Sequence, residues 1–429
     1  MSQRRRQAAL VAYRAASDLA GKGAFFLVTL VAARRLSQDA FGLFALGTTV
    51  GWIASVATDF GIQLHLAREV AQRPGDAARL LRAWLRIRVW TAALALGTVA
   101  IGLALSSQST AFSRAILLFT FVYVVNGLIE FLHYFYRGLA RSDVESTLTL
   151  WQRFAMLVLA TAALWWKPDV TLLAVAMAIP ALVMFWYSAR LAARLAAGNP
   201  SNPSNLSNPR DAIASVIPIG AGIVLSALYF RIDVFLVEAW QGTTAVALYN
   251  AVFRLVEALR LFPAAVLAVA LPVLFQATSR QVLLKLSALL TTAAIAVSLA
   301  LWLSAGAVIP ILYGSRYAAA VPAFRILLVA FPLMSLNYAL THQLIGWHGH
   351  RAYAAMCAAA LAFNVALNVR LIPSMGIVGA AWATVATELV ITFGCLVALA
   401  RISHFSNSSN LSNPSNLSNP PNLSSVALS

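Results

Sequence analysis

Charge is scarce in this sequence: Asp, Glu, Lys and Arg together make up 10% of the 429 residues, against about a quarter in an ordinary soluble protein. A chain so poor in charge and 61% hydrophobic cannot cover a water-facing surface, so a soluble fold is excluded. Cysteine is confined to Cys357 and Cys395, both inside apolar segments with no ligand-type neighbours. They read as packing residues, which excludes a disulfide framework and a thiolate metal site. His133, His342, His348 and His350 lack the clustering of a metal centre. There is no GxxxxGK[ST] phosphate loop and no nucleophile or paired-carboxylate constellation, so an ATP-driven pump or a hydrolase is not expected. Long loops are missing as well. Membrane-embedded glycosyltransferases and polymerases need a sizeable extramembrane region for their chemistry, and this chain has nowhere to put one.

Acidic residues are also few, 14 against 31 basic ones, giving a net charge of +17. In a soluble protein that surplus would suggest nucleic acid, whose phosphates Lys and Arg neutralise. Here most of the basic residues sit in short connections between apolar runs, and no nucleic-acid module is visible, so no nucleic-acid partner is expected. They act as topology determinants instead.

What is present is a succession of apolar runs, each long enough to cross a hydrocarbon core of ~30 Å at 1.5 Å per residue. Strict alternation is rare, which favours helices over barrel strands. The expected fold is therefore all-α and polytopic, with about twelve transmembrane helices at 10–33, 41–67, 81–105, 115–135, 146–166, 170–193, 213–240, 246–275, 283–308, 321–345, 353–372 and 377–400. The first run is broken by Arg14, Asp18 and Lys22 and lacks a small-residue cleavage site, so it reads as a span and not a signal peptide.

Loop charge orients the chain. One side collects Arg4, Arg5, Arg6, Arg68, Arg73, Arg79, Arg82, Arg86, Arg88, Arg137, Arg141, Arg190, Arg194, Arg210, Arg280, Lys285, Arg351 and Arg401. The other has Arg34, Arg35, Arg114, Lys167, Arg316 and Arg370. The positive-inside rule makes the first side cytoplasmic, which puts both termini inside a multi-pass cytoplasmic membrane protein.

Two near repeats of a Ser-Asn-Leu-Ser-Asn-Pro unit interrupt this pattern, one at 198–210 and one in the tail 402–429. Lacking apolar periodicity and rich in turn formers, they are expected to be flexible linker and disordered tail, with no binding role. Asn205, Asn410, Asn416 and Asn422 match glycosylation acceptors, which mean nothing on a cytoplasmic face. The linker divides the chain into an N-terminal lobe at 1–197 and a C-terminal lobe at 211–401, six spans each. A faint repeat joins them: Ala40-Phe41-Gly42-Leu43-Phe44-Ala45 against Ala245-Val246-Ala247-Leu248-Tyr249-Asn250-Ala251. Parallel repeats place a substrate site between the halves.

The informative residues are charges inside spans, each costing roughly 2.5 to 3.5 kcal/mol at mid-bilayer. Arg14, Asp18 and Lys22 stand four apart on one face of the first span, leaving one positive charge in excess. That series is either a self-satisfied ladder or one wall of a cavity. Arg254, Glu257 and Arg260 repeat the pattern in the eighth span, with Pro263 and Pro272 beyond. Arg153 has no acidic neighbour on its own face and is a cavity candidate. Asp233, two residues from Arg231, points away from it and is expected to meet Arg254 or Arg260. Substrate binding is thus assigned to Lys22, Arg153, Arg254, Arg260 and Arg14, since surplus cation suits an anionic cargo such as a phosphate or pyrophosphate group. Asp18, Asp233, Glu257, Asp59 and Glu388, with Glu130, are the acids that H+ or Na+ coupling would use, or else local pairing residues. No cofactor is expected.

Beyond these residues the sequence resembles the polysaccharide-biosynthesis, Wzx-type flippases of the multidrug, oligosaccharidyl-lipid and polysaccharide exporter superfamily. The likeness is carried by Val31-Ala32-Ala33-Arg34-Arg35-Leu36-Ser37-Gln38-Asp39-Ala40-Phe41-Gly42-Leu43-Phe44-Ala45, Asp59-Phe60-Gly61 and Arg68-Glu69-Val70. It continues in Arg231-Ile232-Asp233, Ala247 to Ala251 and Pro272, and ends in Tyr313-Gly314, Asn364, Asn368, Leu371-Ile372-Pro373 and Met375 to Thr384. Ala247 stands where that family commonly has Gly. The resemblance implies two six-helix bundles in a V, alternating access, and translocation of an undecaprenyl-pyrophosphate-linked oligosaccharide, as in O-antigen or lipopolysaccharide assembly. Membrane lipids and polysaccharide assembly proteins are the partners it suggests. A multidrug exporter of the same superfamily, a lipid II flippase and a non-transporting scaffold stay open as alternatives.

Overall fold

Among the described residues all regular structure is helical. The computed structural model describes residues 3–197, 209–267, 280–347 and 349–411, with side chains described over 13–197, 220–267, 284–347, 349 and 351–401. Most of the linker (198–208), the tail beyond 411, Pro272 and His348 lie outside the described residues. The helices are α1 (Gln3–Arg35), α2 (Gln38–Asp59), α3 (Ile62–Gln72), α4 (Ala77–Leu105), α5 (Thr110–Gly138), α6 (Ser142–Trp166) and α7 (Val170–Ala197). They continue with α8 (Pro209–Leu259), α9 (Arg280–Tyr313), α10 (Val321–Gly346), α11 (His350–Met375) and α12 (Ile377–Leu411). Helix α12 thus runs past 402, where the tail was expected to begin.

Among the described residues eleven stretches are long and apolar enough to cross a membrane, and one of them, Gly220–Leu267, has 48 residues. At 1.5 Å per residue that would be about 72 Å, more than twice a bilayer core. It is interrupted at Gly242, whose φ of 77° and ψ of 179° only glycine adopts readily. The two arms, 209–241 and 243–267, are separate crossings, which brings the described spans to twelve, the number expected.

The second span is shorter than its apolar run. The apolar run continues to residue 67, but α2 stops at Asp59, and Phe60 and Gly61 turn through the left-handed region with φ of 44° and 82°. The Asp59 carboxylate accepts hydrogen bonds from the backbone N–H groups of Gly61 at 3.1 Å and Gln63 at 3.3 Å, ending one helix and starting the next. Helix α3 then buries Leu66 and Val70 and exposes Leu64 and Arg68. Arg88 is likewise not a loop cation. It is 1% exposed inside α4, 3.8 Å from Asp59, and donates to the Gly127 carbonyl of α5 at 3.4 Å. Arg88→Ala leaves the Asp59 charge buried without its partner, a loss of about 3 kcal/mol. The melting temperature of the detergent-solubilised protein should fall clearly, while Arg68→Ala, at an exposed site, leaves it unchanged.

Helices α1 to α7 pack on one another, chiefly α1 on α6, α2 on α5 and α5 on α7, and α8 to α12 form a second group through α8 with α11, α9 with α10, and α10 with α12. The groups meet along α2 and α8. At Gly42 they are so close that a Cβ would lie 2.0 Å from the Thr243 carbonyl oxygen. Polar contacts seal the same end. Arg34 donates through Nε to the Leu312 carbonyl at 2.7 Å and through Nη2 to that of Ile311, in the last turn of α9. Arg316 and the Tyr317 hydroxyl donate to the Ala33 carbonyl in the last turn of α1. Carbonyls at helix ends have no partner within the helix and carry its negative pole, so each group caps a helix of the other with an arginine. Thr243 and Thr244 both donate to the Asp39 carboxylate beside them.

Candidate functional site

At the other end the two groups diverge around a cavity of about 760 Å³. Its walls come from α1, α2, α5, α6, α7, α8, the turn of helix after it and α10. The local cause is the four-residue rhythm of α1 and the three-residue rhythm of the second α8 arm, which aim Asp18 and Lys22 from one side and Arg254, Glu257 and Arg260 from the other. Gly21 brings α6 close, for a Cβ there would sit 3.2 Å from the Arg153 stem.

Six cationic side chains line the cavity, Arg14, Lys22, Arg137, Arg153, Arg254 and Arg260, against four acidic ones, Asp18, Glu130, Glu145 and Glu257. With His133 neutral, the formal balance is +2. The pairing is uneven. Glu145 takes Arg137, with Oε2 at 2.8 Å from Nε, and stands 3.7 Å from Arg14. Glu257 takes both Arg231 at 2.6 Å and Arg254 at 2.8 Å. Among the described residues no carboxylate lies within 4.0 Å of Lys22, Arg153 or Arg260. Arg153 rests 3.9 Å from the Met156 sulfur, and Arg260 lies 4.5 Å over the Phe230 ring. Phe25, Phe26, Trp52, Tyr123 and Tyr134 add aromatic wall, and Gln152, bonded to Asn126, adds amide groups. Such a surface can hold an anion with charge-assisted hydrogen bonds and lay rings or sugar faces on its aromatics.

All five residues assigned to substrate binding, Lys22, Arg153, Arg254, Arg260 and Arg14, line this one cavity, as do Asp18 and Glu257. Three of the assigned acids do not. Asp59 is the α2–α3 cap described above. Asp233 meets neither Arg254 nor Arg260: it accepts a hydrogen bond from the Tyr249 hydroxyl, because its position two residues from Arg231 turns it into the C-terminal group while Arg231 takes Glu257. Glu388 accepts from Asn337 at 2.7 Å. Asp233 and Glu388 flank a separate void of about 10 Å³ with Asn364, Thr384 and Thr387.

Sequence reasoning missed Arg137, Glu145 and His133 as wall residues and left Glu130 without a place. Arg137 looked like a loop cation, and Glu145 faces it from the first turn of the next helix. A signal existed: Glu130, His133 and Arg137 lie three and four apart, one face of α5. Among the described residues no cluster of His, Cys, Asp and Glu is arranged to hold a metal ion.

The fold is shared with solved transporters. An inward-facing multidrug resistance MATE family transporter of the MOP superfamily superposes with a TM-score of 0.70 at 15% identity, covering 90% of this chain and 96% of the other. The lipid II flippase MurJ in an inward closed conformation gives 0.70 at 11% identity, covering 93% and 91%. A MOP superfamily transporter from Pyrococcus furiosus, whose binding pocket has reverse polarity, gives 0.66 at 16%, covering 92% and 96%. No curated protein matches the sequence. The family model described as polysaccharide biosynthesis protein matches residues 9–278, well over half of the chain, so this protein belongs to that family, with the multi-pass helical fold seen in solved MOP-superfamily proteins.

Proposed function

We propose that this chain flips a lipid-linked saccharide carrying phosphate or pyrophosphate, of the undecaprenyl-pyrophosphate type, across the bacterial cytoplasmic membrane for surface polysaccharide assembly. The observation that carries the reading is the cavity's surplus of cations. Among the described residues Lys22, Arg153 and Arg260 have no carboxylate within 4.0 Å, so their charge is free for the phosphate end of the cargo. Arg254 and Arg14 join them by exchanging part of their contacts with Glu257 and Glu145. Sugars would rest on Trp52 and Tyr123 and bond Asn126 and Gln152. By loop charge the cavity end faces the cytoplasm, with both termini inside. Asp233 and Glu388 are the acids we assign to H+ or Na+ coupling, and polysaccharide assembly proteins are the expected partner class.

A multidrug cation exporter fits the same fold, but a cavity of net positive charge repels its cargo. A scaffold role gives no reason to place unpaired cations at membrane depth, where each is costly.

The test is reconstitution into vesicles holding a fluorescent undecaprenyl-pyrophosphate saccharide, with flipping followed by an impermeant quencher. Replacing Lys22, Arg153 and Arg260 together, Lys22→Ala/Arg153→Gln/Arg260→Gln, should slow flipping at least tenfold, since each charge-assisted bond is worth about 1.5 to 3 kcal/mol. Wild-type rates in the triple variant, or export of a lipophilic cation in place of the phosphate lipid, would overturn the reading.

A further inference from the structure

Away from the cavity, α4 and α7 carry the same exposed series in opposite chain directions. Along α4 run Arg82, Arg86, Trp90 and Leu94, each four residues from the last. Along α7, read backwards, run Arg194, Arg190, Trp186 and Leu182 at the same spacing. All eight are exposed, Trp90 by 71% and Trp186 by 54%. Such large indoles left bare by the protein are covered by something else.

The two series form one surface. Three crossings apart in the chain, α4 and α7 run antiparallel, and Leu81 and Trp84 pack in one cluster with Ala192 and Ala196, so their arginine ends lie at the same level. They also point the same way. Arg88 of α4 reaches the Gly127 carbonyl of α5, and the Tyr136 hydroxyl of α5 donates to the Ser188 carbonyl of α7 at 2.7 Å. Each helix therefore turns that face to α5. Arg86 and Trp90 lie two residues either side of Arg88, and Trp186 and Arg190 two residues either side of Ser188, about 200° around the helix and facing away from α5.

The surface is uncompensated in charge. Arg82, Arg86, Arg190 and Arg194 have no carboxylate within 4.0 Å among the described residues, whereas nearby Arg73 has Glu69 and Arg79 has Asp76. Arg190 is stacked at 3.8 Å over the Trp186 ring, which holds its guanidinium against the indole face. From the end of the molecule inward, the order is two pairs of guanidinium groups, two indoles and two leucines, one helical turn of about 5.4 Å per step. That order matches phosphate, glycerol backbone and acyl chain in a lipid leaflet.

We propose that this α4–α7 surface is a binding site for an anionic bilayer phospholipid with two phosphate groups, of the cardiolipin kind, in the leaflet at the cavity end. Each phosphate takes one arginine from each helix, the indoles lie along the glycerol level, and the acyl chains run past Leu94 and Leu182. Four guanidinium groups match two phosphates, and the arginine fork suits their bidentate geometry better than lysine would. None of these side chains lines the transport cavity, so the site is distinct from that of the cargo.

The test uses the purified full chain, delipidated in a neutral detergent and titrated with cardiolipin, phosphatidylglycerol or phosphatidylcholine, with bound lipid counted by native mass spectrometry. Cardiolipin should be retained about tenfold better than phosphatidylglycerol, which offers one phosphate. The pair variants Arg82→Gln/Arg86→Gln and Arg190→Gln/Arg194→Gln should each lower cardiolipin retention at least fivefold. Arg351→Gln/Arg401→Gln, which removes two exposed arginines from the C-terminal group, should not. Monodispersity on a sizing column establishes that each variant is folded, and two separate pairs keep the test open if one fails. Equal retention of all three lipids, unchanged retention in both folded pair variants, or an equal loss in the C-terminal control would each overturn the proposal. So would displacement of cardiolipin by millimolar inorganic pyrophosphate, which would mark a site for soluble phosphates.

Discussion

Arg254→Glu should reduce flipping of a pyrophosphate-linked saccharide to background, a loss of at least a hundredfold, in a protein that still purifies as a single species. Arg254 is 15% exposed at its side chain, faces the cavity, and shares Glu257 with the buried Arg231. Reversal takes the cavity from a formal +2 to neutral and sets two carboxylates three residues apart on one helical face, where like charges repel. A phosphate arriving there meets two carboxylates in place of a guanidinium paired with one. Arg254→Gln keeps the volume and a donor, so it should cost only about tenfold, one charge-assisted bond. Glu257→Gln moves the other way for binding: it frees Arg254, and cargo should be held more tightly, while Arg231 loses its carboxylate and the melting temperature falls. The reversal also separates the competing functions. A cation exporter would gain from the added carboxylate, a scaffold would be indifferent, and a wild-type flipping rate in Arg254→Glu would remove phosphate binding from this cavity.

The spans were legible because their signal is one-dimensional. Each helix must satisfy its own backbone in the bilayer, so length and apolarity alone mark it, and even the pair joined at Gly242 was separable by the polar stretch near Gln241. The elbow after α2 was not legible, since Ile62, Leu64 and Leu66 keep the run apolar while the Asp59 carboxylate ends the helix. Charges inside spans pointed to the cavity for the same physical reason that they are rare: lipid does not tolerate them, so protein or water must. What a single sequence cannot give is partner choice. Glu145 selecting Arg137, or Glu257 bridging Arg231 and Arg254, depends on helix pairs distant in the chain. Asp233 and Glu388 looked equivalent to Asp18 by the cost of burial, yet they satisfy themselves on Tyr249 and Asn337 inside the C-terminal group. Arginines counted as topology markers met different fates on folding: Arg88 went to the core, Arg137 to the cavity wall, Arg34 and Arg316 to helix ends across the seam, and Arg86 and Arg190 to an exposed face.

Gly42→Ala should open the end opposite the cavity and stop transport, although alanine is the better helix former by about 1 kcal/mol. Any loss must then come from the contact across the groups, where the added Cβ falls 2.0 Å from the Thr243 carbonyl oxygen and 2.7 Å from its carbon. Those are backbone atoms, so no side chain can swing aside. The α2–α8 seam has to part by more than an ångström, at an overpacking cost of about 1 to 3 kcal/mol, enough to shift a two-state equilibrium between fivefold and a hundredfold. Arg34, Arg316 and Tyr317 then lose their grip on the helix ends they cap, and the closed end is weakened further. The readout is Val246→Cys in a background lacking Cys357 and Cys395. Val246 is fully buried in this seam, so its cysteine should resist an impermeant maleimide in the parent and react at least tenfold faster with Gly42→Ala present. Gly47→Ala is the control. Its Cβ would press on the Phe119 ring at 2.8 Å, within the N-terminal group, so it should lower the melting temperature without speeding the labelling. If both alanine variants label alike, the seam at Gly42 is ordinary packing. If only Gly42→Ala does, this glycine is where the two groups must touch for the far side to stay shut while cargo enters at the other.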